Sequence, residues 1–380
     1  MRKESTMKKT MTISLVAVGM FVAAYCMCNT AGAAAVSQAA VDAYKLRMQG
    51  KVDDANSLIE QAVRKNPHDA AAYYELARIR VHMSLGKVKD IKTMQGKMED
   101  ARQAIIKAQE NDPTNVIYPF FEGHIALFQA YPSLMGNQPD AKEKIAKLCK
   151  AFESALKLKP DYSQAMLYLV EIYGTLPEDK GGDKARAEQY AKKLEGMDKV
   201  FGAKARSVLL PEGADRVAYW QNVLKSNEGN VDVLEELGKA YLSVDKVDDA
   251  VACFEKAIKI DPAKSFLFMD LSIYHTWSAM RAGDNPELLH KAIASGNAAV
   301  TRYLDSKPIL PMQAYALAVQ YKYKSHSGDK EQAAAAGGLL KKAEALDPYF
   351  SKATGAPNPD LFIAPDEISH NHRYLFRPVQ

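Results

Sequence analysis

The sequence predicts an all-α chain, wound as a helical-repeat solenoid of about eight antiparallel helix pairs. Three observations predict it. In NVDVLEELGKAYLSVDKVDDAVACFEKAIKIDP, residues 230–262, Leu234, Leu237, Gly238 and Tyr241 recur at helical spacing, Asp245 to Asp248 interrupts, and Ala250, Phe254, Ala257 and Pro262 follow. Two short amphipathic helices joined by a polar turn is the physical reading. The spacing of the second half of that stretch then recurs four more times along the chain. Finally, 380 residues with 47% hydrophobic and 25% charged side chains fit neither disorder nor a membrane bundle, but suit one elongated array or two ordinary domains.

Residues 1–35 are set apart as a signal peptide. MRKESTMKKT is basic, ISLVAVGMFVAAYCM is an apolar run of 15 residues, and NTAGAAA places small residues at Ala31 and Ala33. That order is the tripartite secretory leader, with cleavage expected near Ala33 to Ala35. An uncleaved anchor is the alternative, against which the run falls short of the roughly 20 residues that span a bilayer. A lipid on Cys26 or Cys28 is disfavoured by Tyr25 and Met27, which stand where a small residue is needed, and Met7 offers a tidier start. Export would place the mature chain in the periplasm or cell envelope. Without residues 1–33 the chain keeps 46 basic and 45 acidic residues, so no basic surface argues for nucleic acid or anionic lipid. Cys149 and Cys253 are its two remaining cysteines, read as buried small apolar residues rather than a bridge.

The repeated second helices follow in order. DANSLIEQAVRKNP gives Ala55, Ile59, Ala62 and Pro67; DARQAIIKAQENDP gives Ala101, Ile105, Ala108 and Pro113; KLCKAFESALKLKP gives Leu148, Phe152, Ala155 and Pro160; AAGGLLKKAEALDP gives Ala336, Leu340, Ala343 and Pro348. Proline after the last apolar residue stops one helix and opens the next. First helices are legible as YYELARIR before the second copy, MLYLVEIYG before ARAEQYAKKL, FMDLSIYHTW before KAIASGNAAV, and AYALAVQYKY before the last. In the clearest pair, Gly238 and Ala250 are small where helices must approach, with Tyr241 and Phe254 filling the space beside them.

This order resembles the tetratricopeptide repeat, whose W-x2-L-G-x2-Y, A-x3-F, A and P pattern appears here with Leu234 in place of the tryptophan. The resemblance implies a right-handed superhelix over roughly the whole mature chain. Pro67, Pro113 and Pro160 lie 46 and 47 residues apart, longer than the family's period, because HMSLGKVKDIKT and SLMGNQPDAKEK are inserted between helices. A HEAT-like array is the alternative at that period, and the alanine–proline signature favours tetratricopeptides. The expected organisation is an N-terminal array with insertions over 36–199, a degenerate repeat over 200–230, a regular array over 231–350 and a proline- and aromatic-rich tail over 351–380. The tail reads as a cap on the last repeat, with occupancy of the concave groove and disorder as alternatives.

First helices should line the concave face, and residues opposite their packing positions are then available to a partner. By that offset the candidate binding residues are Tyr44, Arg47, Tyr74, Arg78, Glu171, Asp232, Glu235, Lys239, Trp277, Tyr315 and Lys322. Aromatics with arginine are common anchors of interfaces, although any one of these suits an ordinary solvated or edge-packed helix position equally. The glycine loops at 135–144 and 180–188 lack a phosphate-binding layout and read as turns in which Asp140 or Asp183 caps the next helix. Scattered histidines, His370 and His372 included, form no metal motif, and no nucleophile elbow appears. No metal, cofactor or catalytic residue is expected. The family implies protein or peptide binding by an exported scaffold, in an envelope-protein complex or a homo-oligomer; an accessory that binds a small ligand for a solute transporter is the alternative.

Overall fold

A computed structural model describes residues 37–87, 90–283, 285–327, 329–353 and 375. The expected signal peptide, and all of the tail beyond Ala353 except Leu375, lie outside them. Sixteen α-helices and no strand are found among the described residues. They run as successive pairs: α1 Gln38–Met48 with α2 Val52–Lys65, α3 Ala70–Leu85 with α4 Ile91–Asn111, α5 Ile117–Met135 with α6 Ala141–Leu158, and α7 Ser163–Thr175 with α8 Lys184–Met197. After α9 Lys199–Val208 and α10 Arg216–Lys225 come α11 Val231–Leu242 with α12 Val247–Ile260, α13 Leu267–Arg281 with α14 Pro286–Asp305, and α15 Leu310–Ser325 with α16 Lys330–Leu346.

Local chemistry sets the boundaries. Ser37, Asp69, Asp90, Asp183, Asn230, Asn285 and Asp329 each accept from a backbone N–H of the helix they precede, satisfying donors with no partner inside the helix. Asp183 thus caps α8 as expected. Asp140 does not cap α6 through its side chain; its backbone is already helical, and its carboxylate pairs with Lys144 at 3.0 Å.

The recurring small and apolar positions pack where the pattern puts them. Ala101, Ile105, Ala108, Leu148, Phe152, Ala155, Ala250, Phe254, Ala257, Ala336 and Ala343 are all buried; Ala62 and Leu340 are only partly so, the former displaced by Val63. Close approach of paired helices requires glycine at two equivalent places. A Cβ on Gly123 would lie 2.4 Å from the Phe152 ring, and one on Gly238 would lie 2.3 Å from the Phe254 ring. The aromatic of the second helix therefore fills the space that the first helix vacates.

Two expectations are corrected. The long period of the early copies arises less from loops than from longer helices: His82 to Leu85 extend α3, Ile91 to Thr93 begin α4, Ser133 to Met135 end α5 and Ala141 to Lys144 begin α6. Helix-forming Lys, Met and Leu in those segments make continuation cheaper than a loop. The degenerate stretch does form two helices, but α9 packs mainly back on α7 and α8 and more sparingly on α10, whose Tyr219 and Trp220 donate to Ala203 and Ser207. Trp220 of α10 then joins a small core with Val233, Leu237 and Cys253.

First and second helices differ in how they are buried. The second helices α2, α6 and α12 have one buried stripe, whereas α3 and α15 are buried on nearly every side, polar residues included. A helix buried all round is enclosed rather than facing open solvent. The end of the chain supplies one reason, because the last repeat packs on the first two. His82 Nε2 donates to Asp347 Oδ2 at 2.7 Å with both side chains fully buried, the His82 ring meets Phe350 edge-on at 4.5 Å, and the Tyr349 hydroxyl donates to Asp53 at 2.6 Å. Gly50, at φ +74°, lies so near that a Cβ there would be 1.8 Å from the Leu346 carbonyl oxygen. The array closes end to end.

Candidate functional site

The candidate residues from first helices assemble into two clusters. The first is built by α1 and α3. Arg47, in the last turn of α1, and Arg78 of α3 are both fully buried and share one carboxylate: Arg47 Nε donates to Glu75 Oε1 at 2.8 Å, and Arg78 Nε donates to Glu75 Oε2 at 2.7 Å. Tyr44 lies under both guanidinium groups, at 5.6 Å from Arg47 and 5.4 Å from Arg78, while Tyr74 lies 4.7 Å from Arg78. Tyr74 packs in turn on Tyr118 and Phe121 of α5. The spacing of Tyr74 and Arg78, four residues apart, puts ring and guanidinium on one helix face.

Arg47 has a second contact. Its Nη2 donates to the backbone carbonyl of Leu375 at 2.7 Å, and Leu375 is 6% exposed. Glu75 fixes the Arg47 fork from one side, so the opposite N–H is aimed at this carbonyl. Burial lowers the Arg47 pKa, against the pull of Glu75; at Arg78 the same burial penalty is outweighed by Glu75 and Tyr74.

The second cluster spans α7, α9, α11 and the 3-10 turn Pro262–Phe266. Glu235 is 4% exposed and is held by Lys239 at 2.8 Å and Lys264 at 2.7 Å; Lys264 also pairs with Asp232. Glu236 meets Lys204 at 3.6 Å and Lys239 at 3.9 Å. Burial alone would raise the Glu235 carboxyl, but Lys239, Lys264 and Lys204 outweigh it and hold it well below the usual carboxylate range. Glu171 is the opposite case. Burial, and then the charge of Glu236, push it up to about 7 against Lys239 and Lys204. Charges here neutralise one another, so this cluster offers a mixed polar wall.

The remaining candidates lie on α13 and α15. Trp277 of α13 is 45% exposed, Tyr315 of α15 is buried, and Lys322 is half-buried. The expectation that these residues stand available to a partner on the concave face is corrected for five of them: Arg47, Tyr74, Arg78, Glu235 and Tyr315 are buried. Pattern reasoning missed Glu75, Lys204, Glu236 and Lys264. Glu75 could have been found as the lone acid in the apolar run YYELARIR, three residues before Arg78. Lys264 follows a proline outside any helical period and gives no such signal.

Cys149 and Cys253 are free and buried, and no group of three or more possible metal ligands occurs among the described residues. No helix among them is long and apolar enough to cross a membrane.

Successive antiparallel pairs with a first-helix interior define a helical-repeat scaffold. Residues 231–264 and residues 43–82 each match a tetratricopeptide-repeat family model, so the chain carries tetratricopeptide repeats. Repeats of this family are interaction scaffolds, typically non-catalytic. No curated protein sequence matches the chain. Among solved structures it is similar to MamA, at 17% identity over 58% of this chain and 95% of that one with a TM-score of 0.25. Yeast Tom70 follows at 14% identity over 80% and 77% with a TM-score of 0.29, and the human IFIT1 dimer with PPP-AAAA at 17% over 82% and 88% with a TM-score of 0.31.

Proposed function

We propose that this chain is an exported scaffold of the periplasm or cell envelope, whose first-helix face binds an extended segment of a protein partner. The observation that carries the reading is the Arg47–Glu75–Arg78 cluster with its tyrosines, in which a buried, oriented guanidinium donates to a main-chain carbonyl. A donor fixed on a carbonyl reads backbone, which every peptide carries, while Tyr44 and Tyr74 supply apolar walls for a side chain. The leader sequence supports the location. A small-ligand role in solute transport gains less support from two hollows among the described residues, lined by α4 to α6 and by α10 to α12, since neither includes a residue of the arginine cluster.

The test is site-specific photocrosslinking in the native host. p-Benzoylphenylalanine in place of Tyr44 should yield one discrete protein adduct in the envelope fraction, lost on Arg78→Glu. The intact mass of the recovered chain should correspond to a start near residue 36. Adducts no different from those at a second-helix position such as Lys341, or a chain retained in the cytosol, overturn the reading.

A further inference from the structure

The contact between Arg47 and Leu375 joins residues 328 positions apart. Resting on the peptide-binding reading above, we propose that the C-terminal segment around Leu375 is a tethered ligand of the chain's own arginine cluster, holding in cis the place that an external segment takes.

Two features of the Leu375 contact are those of a bound peptide. Its carbonyl takes a charge-assisted hydrogen bond from a guanidinium already oriented by Glu75, and its side chain is buried as part of the main apolar core. One polar main-chain contact with one buried apolar side chain is the minimal unit of segment recognition in a groove.

The closure of the array says why the occupant is the chain's own. Asp347 and Phe350 are fixed on His82, which lies one helical turn beyond Arg78 on the same helix α3. The root of the tail at Ala353, itself fully buried, is therefore anchored at the cluster rather than at the far end of an open solenoid. Between Ala353 and Leu375 the sequence has 21 residues, and a chain of that length can reach up to roughly 70 Å. Tethering at such range corresponds to an effective concentration on the order of millimolar, which a free segment must exceed in affinity.

Two readouts test this on the full-length mature chain. With p-benzoylphenylalanine at Tyr44 in purified protein, the photoadduct should map to the tryptic peptide that holds Leu375, at monomer mass and independent of protein concentration. An adduct at dimer mass assigns the segment to a second copy and overturns occupancy in cis; no adduct to that peptide overturns it altogether. Secondly, a fluorescent peptide of residues 366–380 should bind the Leu375→Asp chain about tenfold or more tightly than the unaltered chain, and Arg47→Ala should abolish the gain. Equal affinity for both chains refutes the tether. Melting curves establish that Leu375→Asp leaves the array folded. The fate of the external partner is read separately: an envelope adduct at Tyr44 that is unchanged by Leu375→Asp defeats the tether while leaving the scaffold reading intact, whereas peptide binding without any envelope adduct does the reverse.

Discussion

Gly50→Ala tests the end-to-end closure with an internal control. Gly50 and Gly229 have nearly the same backbone, φ +74° and +73°, but an added Cβ at Gly229 meets nothing within 4 Å, whereas at Gly50 it would lie 1.8 Å from the Leu346 carbonyl oxygen. Both substitutions carry the left-handed penalty of about 1 to 2 kcal/mol. Only Gly50→Ala must also push the last repeat away, because backbone cannot rotate aside as a side chain can. Parting that junction exposes Phe350, now fully buried, at about 2 to 3 kcal/mol, and breaks the His82–Asp347 hydrogen bond. The excess of Gly50→Ala over Gly229→Ala should thus be about 3 kcal/mol, or roughly a hundredfold in local opening. Hydrogen exchange of residues 346–353 reads that opening directly, and small-angle scattering should show an enlarged radius of gyration. If the two variants exchange alike at 346–353, the closure does not hold the ends and the reasoning fails.

Other consequences follow from the packing and the charges. Gly238→Ala should destabilise by about 1 to 3 kcal/mol through the clash with Phe254, with partial rescue when Phe254→Leu is added, while Gly96→Ala in α4, where a Cβ meets nothing within 4 Å, should stabilise by about 0.5 to 1 kcal/mol; urea melts of the three variants decide. Lys264→Met removes one of the two cations on buried Glu235 and should cost about 2 to 4 kcal/mol, more than Lys192→Met on the surface, where the cost should be within about 0.5 kcal/mol. Glu171 gives a pH signature. Its folded pKa, about 7, lies above the ordinary carboxylate value, so the folded state holds the proton more tightly, and stability falls as pH rises from about 4.5 through 7. Glu171→Gln should therefore leave stability unchanged near pH 4 and raise it by about 1 to 3 kcal/mol at pH 8, and a gain equal at both pH values would show that Glu171 does not titrate between them.

How far the sequence carried the structure depends on the range over which each feature is determined. Helix pairs are local. Ala101, Ile105 and Ala108, or Leu148, Phe152 and Ala155, repeat at 3.6-residue spacing because each must reach the same facing helix, so their burial is legible from the spacing alone. Half-local features were read in part: the first-helix offset named Tyr44, Arg47, Tyr74 and Arg78, which do assemble, but missed Glu75, the carboxylate that pairs with both arginines. An offset rule counts positions and says nothing about which charge must be neutralised when a position is buried.

Closure is the feature that local pattern could not carry, and it changes what the interior is for. Nothing near Gly50 announces Leu346, and His82 meets Asp347 across 265 positions, a pairing set by how every intervening helix pair turns the array. Helix lengths are uneven along the array: α1 and α2 have 11 and 14 residues, α3 to α6 have 16 to 21, α9 and α10 only 10 each, and α11 and α12 have 12 and 14. Unequal rods cannot stack into a regular superhelix, because each mismatch tilts the next pair. The accumulated tilt brings the last repeat back on the first. Once the ends meet, first helices must be compatible with an enclosed face, which is why α3 and α15 bury residues on all sides where a helix lining an open groove would keep one polar stripe. On the proposed reading, a partner of this interior enters as a thin, extended segment, and the Leu375 carbonyl on Arg47 is a contact of that kind.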